Sequence, residues 1–298
     1  MKSRLLFPHA FNLIGWLLAL PGFVLGYLVV YNDYKIPGFE LVLRNKSTVF
    51  LSNAENFTNE LALTMVIIGL LFIAFSKQKG EDELTAKIRL NALYWGILVN
   101  FCWYGVLMVI AIISSIVHIR SIQNIVEFTT NDLDFTVYNL FMPLVIFIAR
   151  FYYLLYKNKE EYEMKPLKFL PNKPYRALGI ILSVVLFAVV VISNSMGADV
   201  NNLACLLPLV MLLWVYSKEK QEDEYINSIR LNAMQIAVYI NYVILLAGNF
   251  LVYGLGFLYV LVYNLATIPT IFLIVFHYRL YRIRQANTER SNLNITLL

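Results

Sequence analysis

Long apolar segments are the feature of this sequence that most restricts what the chain can fold into. About 20 consecutive apolar residues form a helix that crosses about 30 Å of hydrocarbon. The composition agrees, because 59% of the residues are hydrophobic and 14% are charged, against about 25% charged residues in soluble domains. We therefore expect an all-α membrane protein with eight transmembrane helices. The apolar runs lie near residues 11–31, 59–76, 90–117, 135–156, 176–195, 202–216, 231–254 and 257–279.

Two charge-rich segments interrupt this pattern, and they are copies of one another. Residues 76–92 read SKQKGEDELTAKIRLNA, and residues 217–233 read SKEKQEDEYINSIRLNA. The offset is 217 − 76 = 141 residues, and most positions of the two copies are identical. The tetrapeptide VYNL also recurs, at residues 137–140 and 262–265. These matches predict that helices one to four repeat as helices five to eight, with the same orientation and a pseudo-twofold axis along the membrane normal.

The repeat divides the chain into domains. Three prolines between the halves disfavour a continuous helix there and indicate a linker. Gly254 and Gly256 separate the last two apolar runs, and a tight reversal is expected at this point. The predicted parts are a first repeat over residues 1–156 with outer-side insertions 32–58 and 118–134, a cytoplasmic linker over 157–175, and a second repeat over 176–298 that ends in a cytoplasmic tail.

The first insertion contains two short β-prone stretches. FELVL begins at Phe39, TVFLS ends at Ser52, and the sequence RNKS lies between them. Branched and aromatic residues on both sides of a polar turn favour paired strands. This insertion could form an extracytoplasmic β-hairpin at about residues 39–52.

The distribution of basic residues predicts the orientation. With the N-terminus inside, all of the 24 lysine and arginine residues fall on the cytoplasmic side except Lys35, Arg44, Lys46 and Arg120. Positive charge concentrates on the cytoplasmic side of membrane proteins. We therefore expect a multi-pass membrane protein with both termini in the cytoplasm. The net charge of +5 is explained by this topology, so no nucleic-acid partner is expected.

A helix that continues each charged segment into the next span places three polar residues on one stripe. Steps of seven and eleven residues return to nearly the same angle at about 100° per residue. Because helices in lipid associate through close backbone approach and side-chain hydrogen bonds, the stripe is expected to face protein rather than lipid. Its members are Asp82, Arg89 and Asn100 in the first copy and Asp223, Arg230 and Asn241 in the second.

Two interpretations of the charged segments stay open. In the structural one, the acids and Arg89 or Arg230 form a charge network that docks the two repeats, and the lysines enforce topology. In the functional one, the same groups form a cytoplasmic gate or a docking surface for a protein partner. Asn139 and Asn264 likewise either pack helices together or line a polar cavity between the repeats.

The charged pattern also carries a resemblance. The cadence SKxKxEDExxxxIRLNA, followed by a span that contains Tyr and Asn, resembles uncharacterised polytopic membrane proteins of Bacteroidota bacteria. The resemblance is confined to the two copies of the charged segment and the beginnings of the following spans. It implies a bacterial inner membrane and no particular activity.

The sequence offers no set of residues that would define a reaction. It predicts no catalytic residue, no cofactor and no metal site, and the three adjacent acids of residues 222–224 point in too many directions to hold one ion. Whether the chain is an enzyme stays open, with the balance against it. We expect a non-enzymatic membrane protein of sensory or partner-recruiting type, with a cytoplasmic protein partner and an undetermined oligomeric state. The alternative is a small-solute or lipid transporter with a pathway between the repeats.

Overall fold

The structure is a computed structural model, in which helices dominate. It describes residues 5–42, 55–117, 140–158, 167–196, 201–220, 223–252 and 255–296. The helices are α1 (Ala10–Asn32), α2 (Thr58–Phe75), α3 (Glu83–Val117), α4 (Met142–Asn158), α5 (Tyr175–Ser195), α6 (Asn201–Ala204), α7 (Leu207–Val215), α8 (Glu224–Leu251) and α9 (Leu255–Thr296).

Six helices in the described part of the chain are long and apolar enough to cross a membrane. They are α1, α2, α3, α5, α8 and α9. A multi-pass membrane protein buries its backbone hydrogen bonds within such helices, because lipid offers no partner for a peptide group. The predicted helical membrane class is therefore confirmed.

The fourth and sixth predicted spans are shorter than expected. Helix α4 has 17 residues, and the residues before Leu140 lie outside the described part of the chain. The run near residues 202–216, expected as one helix, is divided into α6 and α7. A turn at residues 205–206 separates them, and Pro208 lies in the first turn of α7, where proline is tolerated because the N–H that it lacks would have no partner within the helix. Helix α7 has nine residues, which span about 14 Å.

The long apolar run in the C-terminal half is interrupted near the glycines, as expected. Helix α8 ends at Leu251 and α9 begins at Leu255. The two helices approach closely beside this break, because a Cβ at Gly248 would lie 2.7 Å from Cγ1 of Val260. Glycine is required where a side chain from the opposite helix takes the space that a Cβ would need.

A short two-stranded sheet lies between α1 and α2. Strand β1 (Glu40–Leu41) pairs antiparallel with β2 (Glu55–Asn56), with Glu40 opposite Asn56. The first strand falls within the predicted hairpin, but its partner is later in the chain than the predicted stretch 48–52, which lies outside the described residues. The side-chain amide of Asn56 also donates to the carbonyl oxygen of Ile36 at 2.8 Å, so both backbone and side-chain bonds hold this loop near the start of α2.

The chain divides into two compact units. The first comprises Met1–Lys165 together with Leu245–Leu261, and the second comprises Pro166–Ile244 together with Val262–Leu298. The stretch 245–261 therefore belongs with the first unit, whereas the sequence assigns it to the second repeat. The two compact units do not coincide with the predicted repeats, and the predicted domain boundaries stay a prediction.

Close helix packing through glycine occurs in each unit. In the first, a Cβ at Gly69 would lie 2.6 Å from the backbone nitrogen of Ala19, so α1 and α2 meet backbone to backbone. In the second, a Cβ at Gly179 would lie 2.6 Å from the backbone nitrogen of Trp214, so α5 and α7 meet in the same way. Such contacts are how helices associate without a hydrophobic driving force.

Candidate functional site

Arg89 is the buried residue that holds the first charged segment in place. It lies near the start of α3 and is 2% exposed. Its Nη1 donates to the carbonyl oxygens of Ala74 at 2.9 Å and Ser76 at 3.0 Å, and its Nη2 donates to both carboxylate oxygens of Glu81, at 3.0 and 2.8 Å. The carbonyls at a helix end have no partner within the helix, so Arg89 supplies donors to the C-terminal end of α2.

The charge of Arg89 is compensated in three ways. The Glu81 carboxylate neutralises it, the carbonyl oxygens accept its protons, and its guanidinium carbon lies 4.6 Å from the ring centroid of Phe151. A buried cation without such partners would cost several kcal/mol. The arginine therefore ties α2, α3, α4 and the connecting turn together.

Arg230 makes the corresponding contacts in the second charged segment. It is also 2% exposed, and it donates to the carbonyl oxygens of Val215 at 2.7 Å and Ser217 at 3.1 Å. Its guanidinium carbon lies 4.6 Å from the ring centroid of Phe169 and 4.7 Å from that of Phe276. The arginines and both carbonyl acceptors are related by the offset of 230 − 89 = 141 residues. Glu222, which corresponds to Glu81, lies outside the described residues.

Each charged segment is also held by a backbone bridge that the sequence analysis missed. The N–H of Phe7 donates to the carbonyl of Phe75, and the N–H of Lys77 donates to the carbonyl of Phe7, both at 2.9 Å. Leu170 forms the same pair of 2.9 Å bonds with Tyr216 and Lys218. We call each segment, together with its arginine and bridge, an arginine-held turn: residues 76–82 with Arg89, and residues 217–220 and Asp223 with Arg230.

A sequence signal for these bridges exists. Phe7 precedes Pro8 and His9, and Leu170 precedes Pro171 and Asn172, at an offset of 170 − 7 = 163 residues. Nδ1 of His9 lies 2.9 Å from the carbonyl oxygen of Lys77. The side-chain amide of Asn172 donates to the carbonyl oxygen of Lys218 at 2.7 Å. The two short X-Pro-polar sequences thus dock in equivalent places.

The two acids of the predicted stripe do not point to the arginines. Asp82 and Asp223 are exposed, and each accepts a 2.7 Å hydrogen bond at the start of a helix, from the N–H of Thr85 and of Ile226 respectively. They cap α3 and α8, because a carboxylate there satisfies amide groups that the helix leaves open. The side-chain and backbone hydrogen bonds of Thr85 hold the pKa of Asp82 below its usual value. Arg89 is bound instead by Glu81, which the stripe did not include.

The asparagines of the stripe are buried, as predicted for a protein-facing surface. Asn100 and Asn241 are almost fully enclosed, and so is Asn264, which is not part of the stripe. In the second unit, the side-chain amide of Asn264 lies 3.4 Å from the carbonyl oxygen of Asn241, and the Thr267 hydroxyl contacts Asn241 Oδ1 and the carbonyl oxygen of Asn264. Asn139 lies outside the described residues.

The first unit packs closely along the same stripe. Gly96 lies on the stripe, seven residues after Arg89, and a Cβ there would lie 3.0 Å from the Cα of Phe147, so α3 and α4 are in close contact. Asn100 lies one turn further along α3 and is enclosed. The stripe is therefore a packing surface in both copies, apart from its exposed acidic ends.

The two units differ in the residues beside the arginine-held turns. In the second unit Arg176 forms an ion pair with Glu219, and its Nη2 lies 3.4 Å from Nε2 of His277. In the first unit the equivalent place holds the neutral pair Asn12 and Tyr152, joined by a 2.8 Å hydrogen bond. An open cleft of about 530 Å³ lies beside the second turn. It is lined by Leu167, Phe169, Lys218, Glu219, Lys220, Asp223 and Asn227.

The fold defines a class of protein, a helical multi-pass membrane protein. Among the described residues, no group of three or more His, Cys, Asp or Glu side chains could hold a metal ion. Comparison with protein-family models, with curated proteins and with solved structures finds no match.

Proposed function

We propose that this protein is a non-enzymatic, multi-pass membrane protein that recruits a cytoplasmic partner through its two arginine-held turns. The observation that carries the proposal is the combination of a fixed backbone and exposed charges. Each turn is tied down by a buried arginine and by a two-bond backbone bridge. A surface that is ordered before binding loses less conformational entropy when a partner docks.

The exposed side chains of both turns carry charges of both signs. They are Lys77, Lys79 and Asp82 in the first turn and Lys218, Lys220 and Asp223 in the second. Mixed charges in a defined arrangement select a complementary partner and accelerate its association. The outer-side insertions of the first repeat would receive the signal or ligand in such a sensory protein.

The proposal includes a duplicated architecture. Eight spans would form two four-helix repeats of the same orientation, with both termini in the cytoplasm of a bacterial cell and the spans in its inner membrane. The equivalent hydrogen bonds of Arg89 and Arg230 support duplication, because they join residues at the same offset of 141. The equivalent bridges of Phe7 and Leu170 support it independently.

Site-specific photo-crosslinking tests the docking surface. A photoreactive residue at Lys79 or Lys220, introduced in the native host, should crosslink to the same soluble protein from either turn. Changing the exposed Lys77 and Lys218 to glutamate, one in each turn, should weaken that capture about tenfold, which corresponds to about 1.4 kcal/mol. The same change at the exposed Lys35 of the first insertion is the matched control. Capture that survives reversal in both turns would contradict the proposal.

Cysteine accessibility tests the orientation. In a background with Cys102 and Cys205 replaced by serine, a cysteine at Lys79 or Lys220 should react with a membrane-impermeant maleimide only after the membrane is permeabilised. A cysteine at Gly38 in the first insertion should react in intact cells. The reverse pattern would place the arginine-held turns on the outer side and exclude a cytoplasmic partner.

The alternative is a small-solute or lipid transporter. It requires polar groups that line a pathway, and the asparagines are the polar residues that the sequence offers for one. The hydrogen bonds among Asn241, Asn264 and Thr267 favour a packing role, since they use the groups that a solute would need. Transport of a solute by purified protein in vesicles, lost on substitution of Asn241, would favour the alternative.

A further inference from the structure

We propose that α9 binds the phosphate headgroup of an anionic phospholipid through Arg279 and Arg282, on the helix face that carries Tyr278 and Tyr281. All four residues belong to the second unit. The inference depends on the membrane class of the protein and does not require the partner-recruiting function.

Helix α9 is too long to lie entirely within a membrane. Its 42 residues span about 63 Å, about twice the 30 Å thickness of the hydrocarbon. From Leu255 to Phe276 the sequence contains no Asp, Glu, Lys or Arg, and these 276 − 255 + 1 = 22 residues correspond to about 33 Å. The helix therefore leaves the hydrocarbon near Phe276, and residues 278–282 lie at the level of the headgroups.

Burial distinguishes a protein face and a lipid face on this part of α9. Phe276 and Leu280 are buried, whereas Ile274, Tyr278 and Tyr281 are exposed. At about 100° per residue, Tyr278 and Tyr281 lie within about 40° of the direction of Ile274, and Phe276 lies about 160° away from it. The two tyrosines therefore continue the surface of the helix that faces the acyl chains.

The residues on the lipid face follow the order of the layers of a bilayer surface. The apolar Ile274 comes first, the two tyrosines follow, and the exposed Arg282 comes next. The sequence changes from apolar to cationic over 282 − 274 = 8 residues, or about 12 Å. Tyrosine concentrates at the boundary between headgroups and hydrocarbon, and basic side chains extend into the headgroup layer beyond it.

The two arginines are close enough to act on one anion. Arg279 and Arg282 are three residues apart in the helix, a spacing at which two side chains are neighbours. Like charges at this spacing destabilise a helix, and residues 275–286 contain no Asp or Glu. An anion bound to both guanidinium groups would offset this repulsion.

The chemistry of the pair selects the ligand. A guanidinium presents paired N–H donors that match two oxygens of one phosphate. Two adjacent cations favour a headgroup with net negative charge over one that carries an ammonium of its own. Basic segments directly beyond a transmembrane helix bind anionic lipid surfaces in this way.

The first unit provides an internal comparison. Tyr153 and Tyr156 are at the positions equivalent to Tyr278 and Tyr281, because 278 − 153 = 125 and 281 − 156 = 125, and both are exposed. The position of Arg279 is taken by Leu154, since 279 − 154 = 125. The tyrosine pair thus occurs in both units, whereas the arginine pair occurs in α9. Arg279→Leu introduces the residue of the equivalent helix and is a suitable test variant.

Native mass spectrometry of the purified full chain tests the site. The wild type should bind phosphatidylglycerol more tightly than phosphatidylcholine, and inorganic phosphate at the same concentration as the lipid should not displace it. The double variant Arg279→Leu with Arg282→Gln should bind phosphatidylglycerol about tenfold more weakly. The single variant Arg282→Lys, which keeps the charge but not the paired donors, should lie between the wild type and the double variant.

Controls separate the site from a general effect of charge. Lys220→Gln, which removes an exposed cation from the second arginine-held turn, should bind phosphatidylglycerol as the wild type does. The comparison of the two lipids uses the wild type alone, so it does not depend on the folding of a variant. Equal binding of both lipids, displacement by inorganic phosphate, or wild-type binding in the double variant would each overturn the proposal.

Discussion

Arg89 and Arg230 are charged residues that complete the ends of apolar helices. Each carries a planar group with five donors, and each directs two of them to carbonyl oxygens that α2 or α7 cannot satisfy internally. Aromatic rings cover the face of each guanidinium. A lysine could supply the charge but not the fixed fork of donors, so the two residue types are not equivalent here.

Arg230→Ala should strongly destabilise the protein. Two carbonyl oxygens lose their donor, at about 1–3 kcal/mol each, so we expect the free energy of unfolding to fall by about 2–6 kcal/mol. The free energy of unfolding of Arg230→Lys should lie between that of the alanine variant and that of the wild type. Thermal unfolding in detergent measures both changes, with Lys220→Ala as the exposed control.

The contacts also predict what will not rescue Arg230→Ala. Asp223 caps α8 through the N–H of Ile226, so exchanging the charges of Asp223 and Arg230 should not restore stability. The predicted stripe, which places Asp223 and Arg230 on one helix face, would instead suggest that the exchange restores stability. Restoration by the exchanged pair would show that the aspartate, rather than the carbonyl oxygens, is the important partner of the arginine.

Tyr242→Phe should leave stability unchanged or raise it by up to about 1 kcal/mol. The Tyr242 ring is fully buried, and its hydroxyl has no hydrogen-bond partner among the described residues. Phe101 occupies the equivalent position of the first unit, since 242 − 101 = 141. The reverse change, Phe101→Tyr, should destabilise the protein because it buries a hydroxyl. A loss of stability in Tyr242→Phe would indicate that the hydroxyl has a partner.

At the scale of the helix, small residues decide how closely two elements pack. Gly15 and Gly69 lie where α1 meets α2, and Gly179 lies where α5 meets α7. In lipid, apolar side chains have no preference for one another over acyl chains, so close backbone approach must supply the contact energy. The glycines therefore matter for association rather than for helix formation.

Gly69→Ala should destabilise the α1–α2 pair by about 1–3 kcal/mol, because overpacking forces the backbones apart. The new Cβ would lie 2.6 Å from the backbone nitrogen of Ala19. Gly26→Ala in α1 is the matched control: nothing lies within 4 Å of a Cβ at that position, and the helix propensity of alanine should make it neutral or stabilising. Equal unfolding temperatures for the two variants would contradict this account.

At the scale of the whole molecule, the first compact unit draws on both halves of the chain. Leu245–Leu261 belongs to it, and the side-chain amide of Asn249 donates to the carbonyl oxygen of Glu60 at 3.2 Å. The rings of Phe57 and Phe250 stack at 6.2 Å between centroids. The C-terminal end of α8 and the beginning of α9 thus complete a unit whose other residues come from the first half of the chain.

Expression of residues 1–165 alone should therefore give an unstable fragment. Co-expression with residues 166–298 should raise its level in the membrane and allow the fragments to be purified together. Co-expression with residues 166–298 that carry Asn249→Ala and Phe250→Ala is the control: it removes the contacts to Glu60 and Phe57 but keeps all of the second unit, and it should raise the level less. Equal fragment levels in all three cases would mean that the first unit does not need residues 245–261.

Some features of the charged segments could be predicted from the sequence, and others could not. The charged copies were recognisable because eleven identical letters survive at one offset, and the burial of Arg89, Arg230 and the asparagines followed from helical spacing. The partner of Arg89 was not recognisable, because Glu81 precedes α3 and its side-chain direction depends on the turn. The division of the run near 202–216 was not predicted, and Pro208 alone does not locate it, because α1 and α9 continue through Pro21 and Pro269.

The sequence by itself determined the membrane class, the long helices and the pairing of the two charged segments, since each depends on apolar length or on letters repeated at a fixed offset. Only the tertiary structure decided which groups the arginines bind, that Phe7 and Leu170 bridge to the turns, and that residues 245–261 join the first unit. The physical reason is that apolar length and helical period are local properties of a chain. A hydrogen bond between distant residues depends on where packing places both of them.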